Sequence, residues 1–233
     1  HPRYRSVGGM TGLARHLADG IDVRLQARVA SLRAEGGMWK ARTEEGELFE
    51  GDALILTPPV PQSLELLDAS GVAMREPARK ALSAIDYDPC IAALAVLSDP
   101  SALPDPGAIQ FDSGPVAFLS DNHKKGISPG ATAITIQSGA EFAREHWESD
   151  DKIVWALLIA AVSEWMEPES ARMVQIKQWR YSAPLELFAE ACLMARMDPP
   201  LIFAGDAFGG PRIEGAALSG LAAARALLKM KAG

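Results

Sequence analysis

Apolar and polar residues fall into short blocks along this chain, and the clearest set of blocks lies near the C-terminal end. Residues 201–204 form an apolar run directly after two prolines, which predicts a buried strand. A turn-rich loop is predicted for residues 205–214, and an Ala- and Leu-rich helix from Gly215 to about Lys231. The loop contains the turn-forming residues Gly205, Gly209, Gly210 and Pro211. The predicted order is therefore strand, loop and helix.

The first quarter of the chain has the pattern of a short helix followed by a meander of strands. The helix is predicted for residues 9–18, with Met10, Leu13, Ala14 and Leu17 on its apolar side. Strands are predicted for residues 21–25, 28–34, 38–43 and 48–57. The last part of the final strand, residues 53–57, is nearly continuous apolar sequence, so we expect it to be fully buried. Pro58 and Pro59 end it, and a helix is predicted for about residues 62–67.

The middle of the chain, residues 75–196, predicts a separate α+β lobe. Strands are predicted for residues 90–97, 115–120, 131–137 and 173–181, and helices for residues 77–85, 138–147 and 150–166. Ser138 and Glu141 have the spacing of a capping box. The helix at 150–166 is amphipathic, with Val154, Leu157, Leu158, Ala161 and Trp165 predicted to face inward. Residues 188–194 fit either a helix or a strand.

Composition narrows the classes of partner. The chain is 48% hydrophobic and 23% charged with a formal net charge of −7, which is typical of a globular protein that binds neither nucleic acid nor an anionic membrane. Its apolar runs are too short to span a bilayer. Cys90 and Cys192 are the two cysteines, and without a secretory signal we expect reduced thiols and a cytoplasmic location. His123 and His146 have no partners at metal-ligand spacing, so no metal site is predicted.

The residues alone leave the chemistry of two places open. Asp206 follows a predicted buried strand, where it either binds a ligand or caps a turn. The small residues Gly215, Ala216 and Ala217 would let a flat anionic ligand approach the start of the helix, because a helix N-terminus has free N–H groups. Trp179 and Tyr181 are two apart on a predicted strand and share a face. They form either an aromatic wall for a flat substrate or ordinary sheet packing.

The string Ala-Gly-Asp206, followed by Glu-Gly215-Ala-x-x-Ser-Gly, resembles the C-terminal flavin motif of FAD-dependent amine oxidases. The resemblance implies that Gly205 and Asp206 lie beside the ribityl-pyrophosphate part of FAD. It also implies that the backbone of Gly215, Ala216 and Ala217 faces the pyrimidine edge of the flavin ring.

Two earlier stretches of the chain extend this resemblance. A Gly-Met before an apolar helix, and then a strand that carries Val29, imply that the backbone near Val29 touches the adenine. The Thr57-Pro58-Pro59 stretch implies a turn close to the cofactor. The alternative for both stretches is a plain meander.

The middle lobe is similar to the substrate lobe of renalase-like flavoproteins. The similar segments are residues 87–90, 121–126, 137–142 and 179–184. The predicted fold is therefore α+β / α/β, with a partial FAD-binding Rossmann-like domain and a substrate lobe of mostly antiparallel sheet and flanking helices. We assign residues 1–70 and 198–233 to the cofactor domain and residues 71–197 to the substrate lobe.

This resemblance implies an FAD-dependent oxidoreductase that acts on a small molecule. The expected reaction moves a hydride from a reduced nicotinamide-type or amine substrate to flavin and then to O₂. Members of the family begin with a βαβ unit that carries G-x-G-x-x-G, and this chain has no such motif. We therefore expect a fragment or a truncated product that binds FAD weakly or not at all by itself. The alternative is a non-catalytic binding domain that has kept the fold without the cofactor.

Overall fold

A computed structural model describes residues 4–210 and 212–232 of the chain. The first residues of the predicted cofactor domain and Pro211 of the predicted loop lie outside these ranges. The helices are α1 (Thr11–Leu17), α2 (Val60–Ala69), α3 (Glu76–Ser83), α4 (Ala140–Glu145), α5 (Asp151–Ala161) and α6 (Arg212–Ala232). The strands are β1 (Val29–Glu35), β2 (Met38–Thr43), β3 (Leu48–Gly51), β4 (Leu54–Leu56), β5 (Tyr87–Leu97), β6 (Ala108–Gln110), β7 (Val116–Asp121), β8 (Thr132–Ser138), β9 (Ala171–Pro184), β10 (Leu193–Met197) and β11 (Pro200–Phe203).

The chain divides into two compact units, each made of two segments. One unit, which we call the central unit, combines the described residues up to Val23 with Pro89–Ser182. The other, which we call the flanking unit, combines Arg24–Asp88 with the described residues from Ala183 onward. These boundaries differ from the predicted ones at residues 70 and 197, and helix α1 belongs to the central unit rather than with β1.

The central unit is built on a five-stranded sheet in the order β6-β7-β8-β5-β9. β6 with β7, β7 with β8 and β8 with β5 pair antiparallel. Because side chains alternate along a strand, one face of the sheet carries a continuous apolar set against α5. The buried members of this set are Ile91, Ala93, Ala95 and Leu97 of β5, Leu119 of β7, Ile134 and Ile136 of β8, and Val154 and Leu158 of α5.

The opposite face of the same sheet, which we call the second face, carries the alternate residues of these strands. They are Ala92, Leu94 and Val96 of β5, Phe118 of β7, and Ala133, Thr135 and Gln137 of β8. Most of them are partly buried, and the set is more polar than the helix-covered core.

The flanking unit contains two three-stranded sheets. β1, β2 and β3 form an antiparallel meander, whereas the second sheet has the order β10-β11-β4. In that sheet β11 pairs antiparallel with β10 and parallel with β4, where Ile202 is opposite Ile55. Ile202, Ala204 and Ala223 of α6 form its buried core. The predicted fold class, a mixed α/β protein with antiparallel sheets and flanking helices, is confirmed.

The predicted strand at residues 48–57 is divided between these two sheets. β3 ends at Gly51 and β4 begins at Leu54, because β3 pairs with β2 and β4 pairs with β11. Leu56 is the buried residue of β4, so the expectation of a fully buried run is wrong. The parallel pairing does confirm that the two apolar runs 53–57 and 201–204 come together.

One further prediction near the N-terminus is wrong. No strand forms at residues 21–25, which are flanked by Gly20 and Gln26, both with positive φ angles. The predicted first helix does form as α1, although it has no buried residue and Leu17 on its apolar side is 57% exposed.

The predicted capping box of α4 does not form. Ser138 is the last residue of β8, and its Oγ accepts the backbone N–H of Ile91 at 2.9 Å instead of capping the helix. Gly139 takes the N-cap position. In α5 the Asp150 carboxylate accepts the N–H of Lys152 at 2.8 Å and caps the helix.

α5 also buries a narrower stripe than the sequence predicts. Val154, Leu158 and Ile159 are buried, whereas Leu157 and Ala161 are exposed. α5 ends at Ala161, short of the predicted end at residue 166.

Both cysteines are free thiols, as expected. Burial raises the pKa of the Cys90 thiol, and burial together with Glu190 raises the pKa of Cys192. In the described ranges, no helix combines the length and apolar character that crossing a bilayer requires. No cluster of three or more His, Cys, Asp or Glu residues suited to a metal ion is found in those ranges either.

Two adjacent leucines of α5 give a stability test of this packing. Leu158 is 0% exposed and Leu157 is 41% exposed. Leu158→Ala should lower the free energy of unfolding by about 2–5 kcal/mol because it leaves a cavity in the core. Leu157→Ala should cost well under half as much. Urea denaturation of both variants measures the difference, and equal losses would show that α5 does not bury the Leu158 side.

Candidate functional site

The two segments predicted to contact a cofactor meet at one edge of the β10-β11-β4 sheet. β4 ends at Leu56, immediately before Thr57 and Pro58, and β11 ends at Phe203, shortly before Gly205 and Asp206. Because β4 and β11 are parallel, their carboxyl ends lie at the same edge. In open α/β sheets this edge is where ligands bind. We call it the carboxyl edge.

Backbone contacts hold the two turns at the carboxyl edge together. The N–H of Ala204 donates to the carbonyl of Leu56 at 3.0 Å. Gly205 has a φ of +138°, and a Cβ there would lie 3.3 Å from the carbonyl oxygen of Thr57. Glycine therefore suits this position both for its backbone conformation and for the close approach of the Thr57 turn.

Ser219 of α6 anchors the same turn from the other side. Its hydroxyl is 0% exposed and accepts the backbone N–H of Gly205 at 2.9 Å. This is the serine of the Glu-Gly-Ala-x-x-Ser-Gly string. The structure therefore gives this serine a role, the anchoring of the Gly205 turn, that the sequence did not reveal. A serine four residues after Gly215, on the buried side of an Ala- and Leu-rich helix, is the signal that could have indicated it.

Tyr87 links the two turns through its hydroxyl, and sequence reasoning assigned it no role. The backbone N–H of Val60, the first residue of α2, donates to the Tyr87 hydroxyl over 3.4 Å. The hydroxyl in turn donates to Oδ1 of Asp206 over 3.5 Å. Tyr87 is 5% exposed, whereas Asp206 is partly exposed. The carboxylate therefore lies between a buried phenol and solvent.

The surroundings of Tyr87 keep its hydroxyl protonated. Burial and the nearby charge of Asp206 raise the pKa of Tyr87 to about 12, although the N–H of Val60 opposes this rise. The phenol can therefore donate to Asp206 throughout the physiological pH range.

α6 begins one turn earlier than the sequence predicts. Its first residue is Arg212, which has a φ of +73°, so the free N–H groups of its first turn are those of Arg212, Ile213 and Glu214. The N–H groups of Ala216 and Ala217 lie inside the helix and bond to carbonyls four residues earlier. The prediction that these residues face a flavin ring remains a prediction, but free N–H groups cannot be its basis.

Gly215 is buried against the preceding loop. A Cβ at Gly215 would overlap the carbonyl group of Gly210, so only glycine fits beneath this loop. The glycine-rich loop is therefore folded tightly onto the first turn of α6.

Val29 does not belong to the carboxyl edge. It is partly buried at the start of β1 in the separate meander sheet, next to a register shift between Val29 and Ser31. Its predicted contact with adenine remains a prediction.

Trp179 and Tyr181 are in the central unit, on the edge strand β9 of the five-stranded sheet. Between them Arg180 lies over the ring of Trp147 at 5.1 Å, and Trp147 packs on the helix-covered core. Since neighbouring side chains point to opposite faces, Trp179 and Tyr181 are on the second face. Trp179 is 60% exposed, so sheet packing does not account for it.

A spectroscopic titration tests the environment of Tyr87. The protein has three tyrosines, and the raised pKa of Tyr87 means that its phenol stays protonated at about pH 11 when folded but ionises when unfolded. Tyrosinate absorbance at that pH should therefore match in native wild type and Tyr87→Phe, and differ by one tyrosinate in denaturant.

The same shift fixes how stability depends on pH. The contribution of Tyr87 is complete below about pH 10 and is lost as the pH rises toward 12, because the unfolded phenol ionises first. A native wild type with one more tyrosinate than the variant at about pH 11 would contradict this assignment.

Three comparisons identify what the chain is similar to. A family model described as "Flavin containing amine oxidoreductase" matches residues 2–228. Renalase of Mus musculus is 25% identical over 217 residues, which cover 89% of this chain and 63% of renalase.

Solved structures of two oxidases have the same fold. A proposed protoporphyrinogen oxidase from Exiguobacterium sp. 255-15 is 15% identical, with a TM-score of 0.69 over 95% of this chain and 51% of that chain. Wild-type putrescine oxidase bound to putrescine is 17% identical, with a TM-score of 0.69 over 95% of this chain and 53% of that chain. The chain thus spans less than two thirds of renalase and about half of the two oxidases. Because the family model matches nearly the whole chain, the chain belongs to the flavin containing amine oxidoreductase family.

Proposed function

We propose that this chain forms the substrate-binding and C-terminal cofactor segments of an FAD-dependent oxidoreductase. The proposed reaction moves a hydride from a reduced nicotinamide-type or amine substrate to flavin and then to O₂. The observation that carries the proposal is the meeting of the Thr57-Pro58 and Gly205-Asp206 turns at the carboxyl edge, in a chain that matches a flavin family over residues 2–228.

The residues at the carboxyl edge suit a group rich in hydroxyls and phosphates. A carboxylate offers about four lone-pair sites, and the one described donor to Asp206 is the Tyr87 hydroxyl, so capacity remains for ligand hydroxyls. Gly205 places no side chain between the turns. Asp206 would accept hydrogen bonds from the ribityl chain, and Thr57 and Pro58 would border it.

Bound FAD would supply the electron chemistry of the proposed hydride transfer. The contribution of this chain is to bind and orient the cofactor and the substrate. Tyr87 fixes the Asp206 carboxylate, and Ser219 fixes the Gly205 backbone beside it. Preorganisation of this kind lowers the entropy that the ligand loses on binding.

Substrate binding is assigned to the second face of the central unit. Trp179 and Tyr181 present aromatic surface there, and a flat substrate would stack on them. The high exposure of Trp179 supports a binding role over a packing role.

The colour and FAD uptake of the natural full-length protein test the proposal. A yellow preparation whose flavin is bleached by a reduced nicotinamide or an amine, and restored by air, is the expected result. A colourless protein that takes up no added FAD would instead favour a non-catalytic domain that kept the fold without the cofactor.

Substitutions at Asp206 test the cofactor site. A charge-assisted hydrogen bond contributes about 1.5–3 kcal/mol, so Asp206→Ala in the full-length protein should weaken FAD binding about 10- to 100-fold. Asp206→Asn should cost less because its amide oxygen still accepts a hydrogen bond. Titration of the apoprotein with FAD, followed by flavin fluorescence, measures both. Equal affinity in wild type and Asp206→Ala would leave Asp206 as a turn residue only.

Substitutions of two tryptophans distinguish an effect on substrate binding from an effect on folding. Trp179→Ala should reduce kcat/KM about 5- to 10-fold, the loss of roughly 1–1.5 kcal/mol of stacking, with little change in melting temperature because Trp179 is 60% exposed. Trp39→Ala is the control, since Trp39 is 2% exposed and its Nε1 donates to the carbonyl of Pro200 at 2.8 Å. The control should lower the melting temperature strongly. Destabilisation by Trp179→Ala with normal turnover per folded molecule would assign Trp179 to packing, and Tyr181→Ala can be judged in the same way.

A further inference from the structure

The loop of residues 121–128, which we call the cationic loop, is held in one conformation by a buried carboxylate. Asp121 is 1% exposed, and its Oδ2 accepts the hydroxyl of Ser101 at 2.6 Å. Its Oδ1 accepts the backbone N–H groups of His123 at 2.8 Å and Lys124 at 3.0 Å. Two of these hydrogen bonds therefore hold the backbone of the loop, and the third joins the start of the loop to Ser101.

Two side chains of the cationic loop reach the second face. Nδ2 of Asn122 donates to Oγ1 of Thr135 at 3.1 Å. Nζ of Lys125 lies 5.9 Å from the ring centroid of Phe118. Thr135 and Phe118 both belong to the second face, so the loop covers the β7–β8 side of it. The ammonium of Lys124 points elsewhere, because it bonds to the carbonyl of Leu103.

Arg5 adds a second positive charge beside Lys125. The guanidinium of Arg5 lies against Gly126, where an added Cβ would be 2.7 Å from Nη2. Burial, together with the positive charge of Arg5, lowers the pKa of Lys125. Within residues 4–210 and 212–232, neither cation has a carboxylate at ion-pair distance.

These two cations lie side by side in a chain with a formal net charge of −7. Two neighbouring positive charges with no carboxylate between them repel each other, and the partial burial of Lys125 adds a desolvation cost. A bound anion would offset the repulsion, so the arrangement is complementary to a negatively charged group.

The cationic loop borders a cavity of about 530 Å³ on the second face. Its apolar lining includes Leu94, Val96 and Met173, and Asn122 of the cationic loop closes one side. The far side of the face is β9, which carries Trp179 and Tyr181. Three strand intervals separate β7 from β9, which is about 14 Å. The face therefore combines a cationic end, an apolar middle and an aromatic end.

We propose that the second face selects a flat substrate that carries an oxyanion, a carboxylate or a phosphate, and that Lys125 and Arg5 are the specificity-determining cations. This rests on the proposed function, because it names the substrate class of the same face. A cationic amine is disfavoured there because it would meet two positive charges. Within the reactions proposed above, this favours an anionic nicotinamide-type substrate over a simple amine.

A pair of matched probes tests the charge preference. Phenylacetate and phenethylamine share an aromatic ring on a short chain and carry opposite charges. Saturation-transfer NMR and calorimetric titration of the full-length protein should show binding of phenylacetate and much weaker binding of phenethylamine. Lys125→Gln should weaken phenylacetate binding about tenfold, the usual scale for loss of one charge-assisted hydrogen bond, and leave phenethylamine binding unchanged or stronger.

Three further variants make this test independent of folding. Lys125→Arg keeps the charge and should retain the preference. Arg5→Gln, at an exposed residue, should weaken phenylacetate binding in the same direction even if Lys125→Gln fails to fold. Lys152→Gln removes an exposed lysine from α5, which packs on the opposite face, and should change nothing. The proposal is overturned by preference for phenethylamine, by absence of phenylacetate binding, or by equal effects of Lys125→Gln and Lys152→Gln.

These measurements do not depend on flavin. A protein that prefers phenylacetate but takes up no FAD would contradict the proposed oxidoreductase and support the preference of the second face for anions. A yellow, active protein that prefers phenethylamine would support the proposed oxidoreductase and contradict the proposed preference for anions.

Discussion

The parallel pairing of β4 with β11 is the contact on which the flanking unit and the candidate cofactor site both depend. It places Ile55 opposite Ile202, residues that are far apart in sequence, and it aligns the ends of both strands. The two turns that follow meet for this reason and not through any property of their own residues. Ala204 and Gly205 then bond to the neighbouring strand and helix, so the backbone at the edge is fixed before any ligand is considered.

Tyr87 shows how a buried polar group can connect such turns. Its hydroxyl is shared between a helix N-terminus and a carboxylate, each a weak partner at 3.4 and 3.5 Å. The bond to Asp206 is weak by itself, but a phenol on a side chain that is 5% exposed has little freedom to turn away from the carboxylate. The site therefore gains its order from burial more than from hydrogen-bond strength.

The local sequence pattern predicted those strands whose formation depends on residues close to them in the chain. The alternating positions of β8 and the apolar run of β11 gave both strands nearly to the residue. Prediction from the local pattern failed where a residue bonds to, or a strand pairs with, a partner that is distant in the chain. The apolar stretch through Leu48 and Leu56 gives no sign that its two halves join different sheets. Ser138 has the spacing of a helix cap but bonds to β5, because Ile91 presents an N–H across the sheet.

The residues of the candidate site also divide into those that a local motif predicted and those that depend on distant partners. Thr57, Pro58, Gly205 and Asp206 were predicted from a local motif, and the structure brings their two turns to one edge. Tyr87 was missed because its role depends on Val60 and Asp206, which no local pattern connects to it. The predicted start of α6 was wrong because Arg212 adopts a positive φ. Positive φ angles favour glycine, so an arginine at this position gives no reason to expect one.

The division of each unit into two segments has a consequence for synthesis on the ribosome. Most of the central unit is one continuous segment, Pro89–Ser182, whose sheet and core can form once that segment has emerged. The β4 strand of the flanking unit is made before this segment, whereas its parallel partner, Pro200–Phe203, is made after it. Leu54 and Ile55 therefore have no sheet neighbour while the whole Pro89–Ser182 segment is synthesised. During that interval an unpaired strand edge is open to wrong partners, so the nascent flanking unit is the part of this protein that we expect to need chaperones.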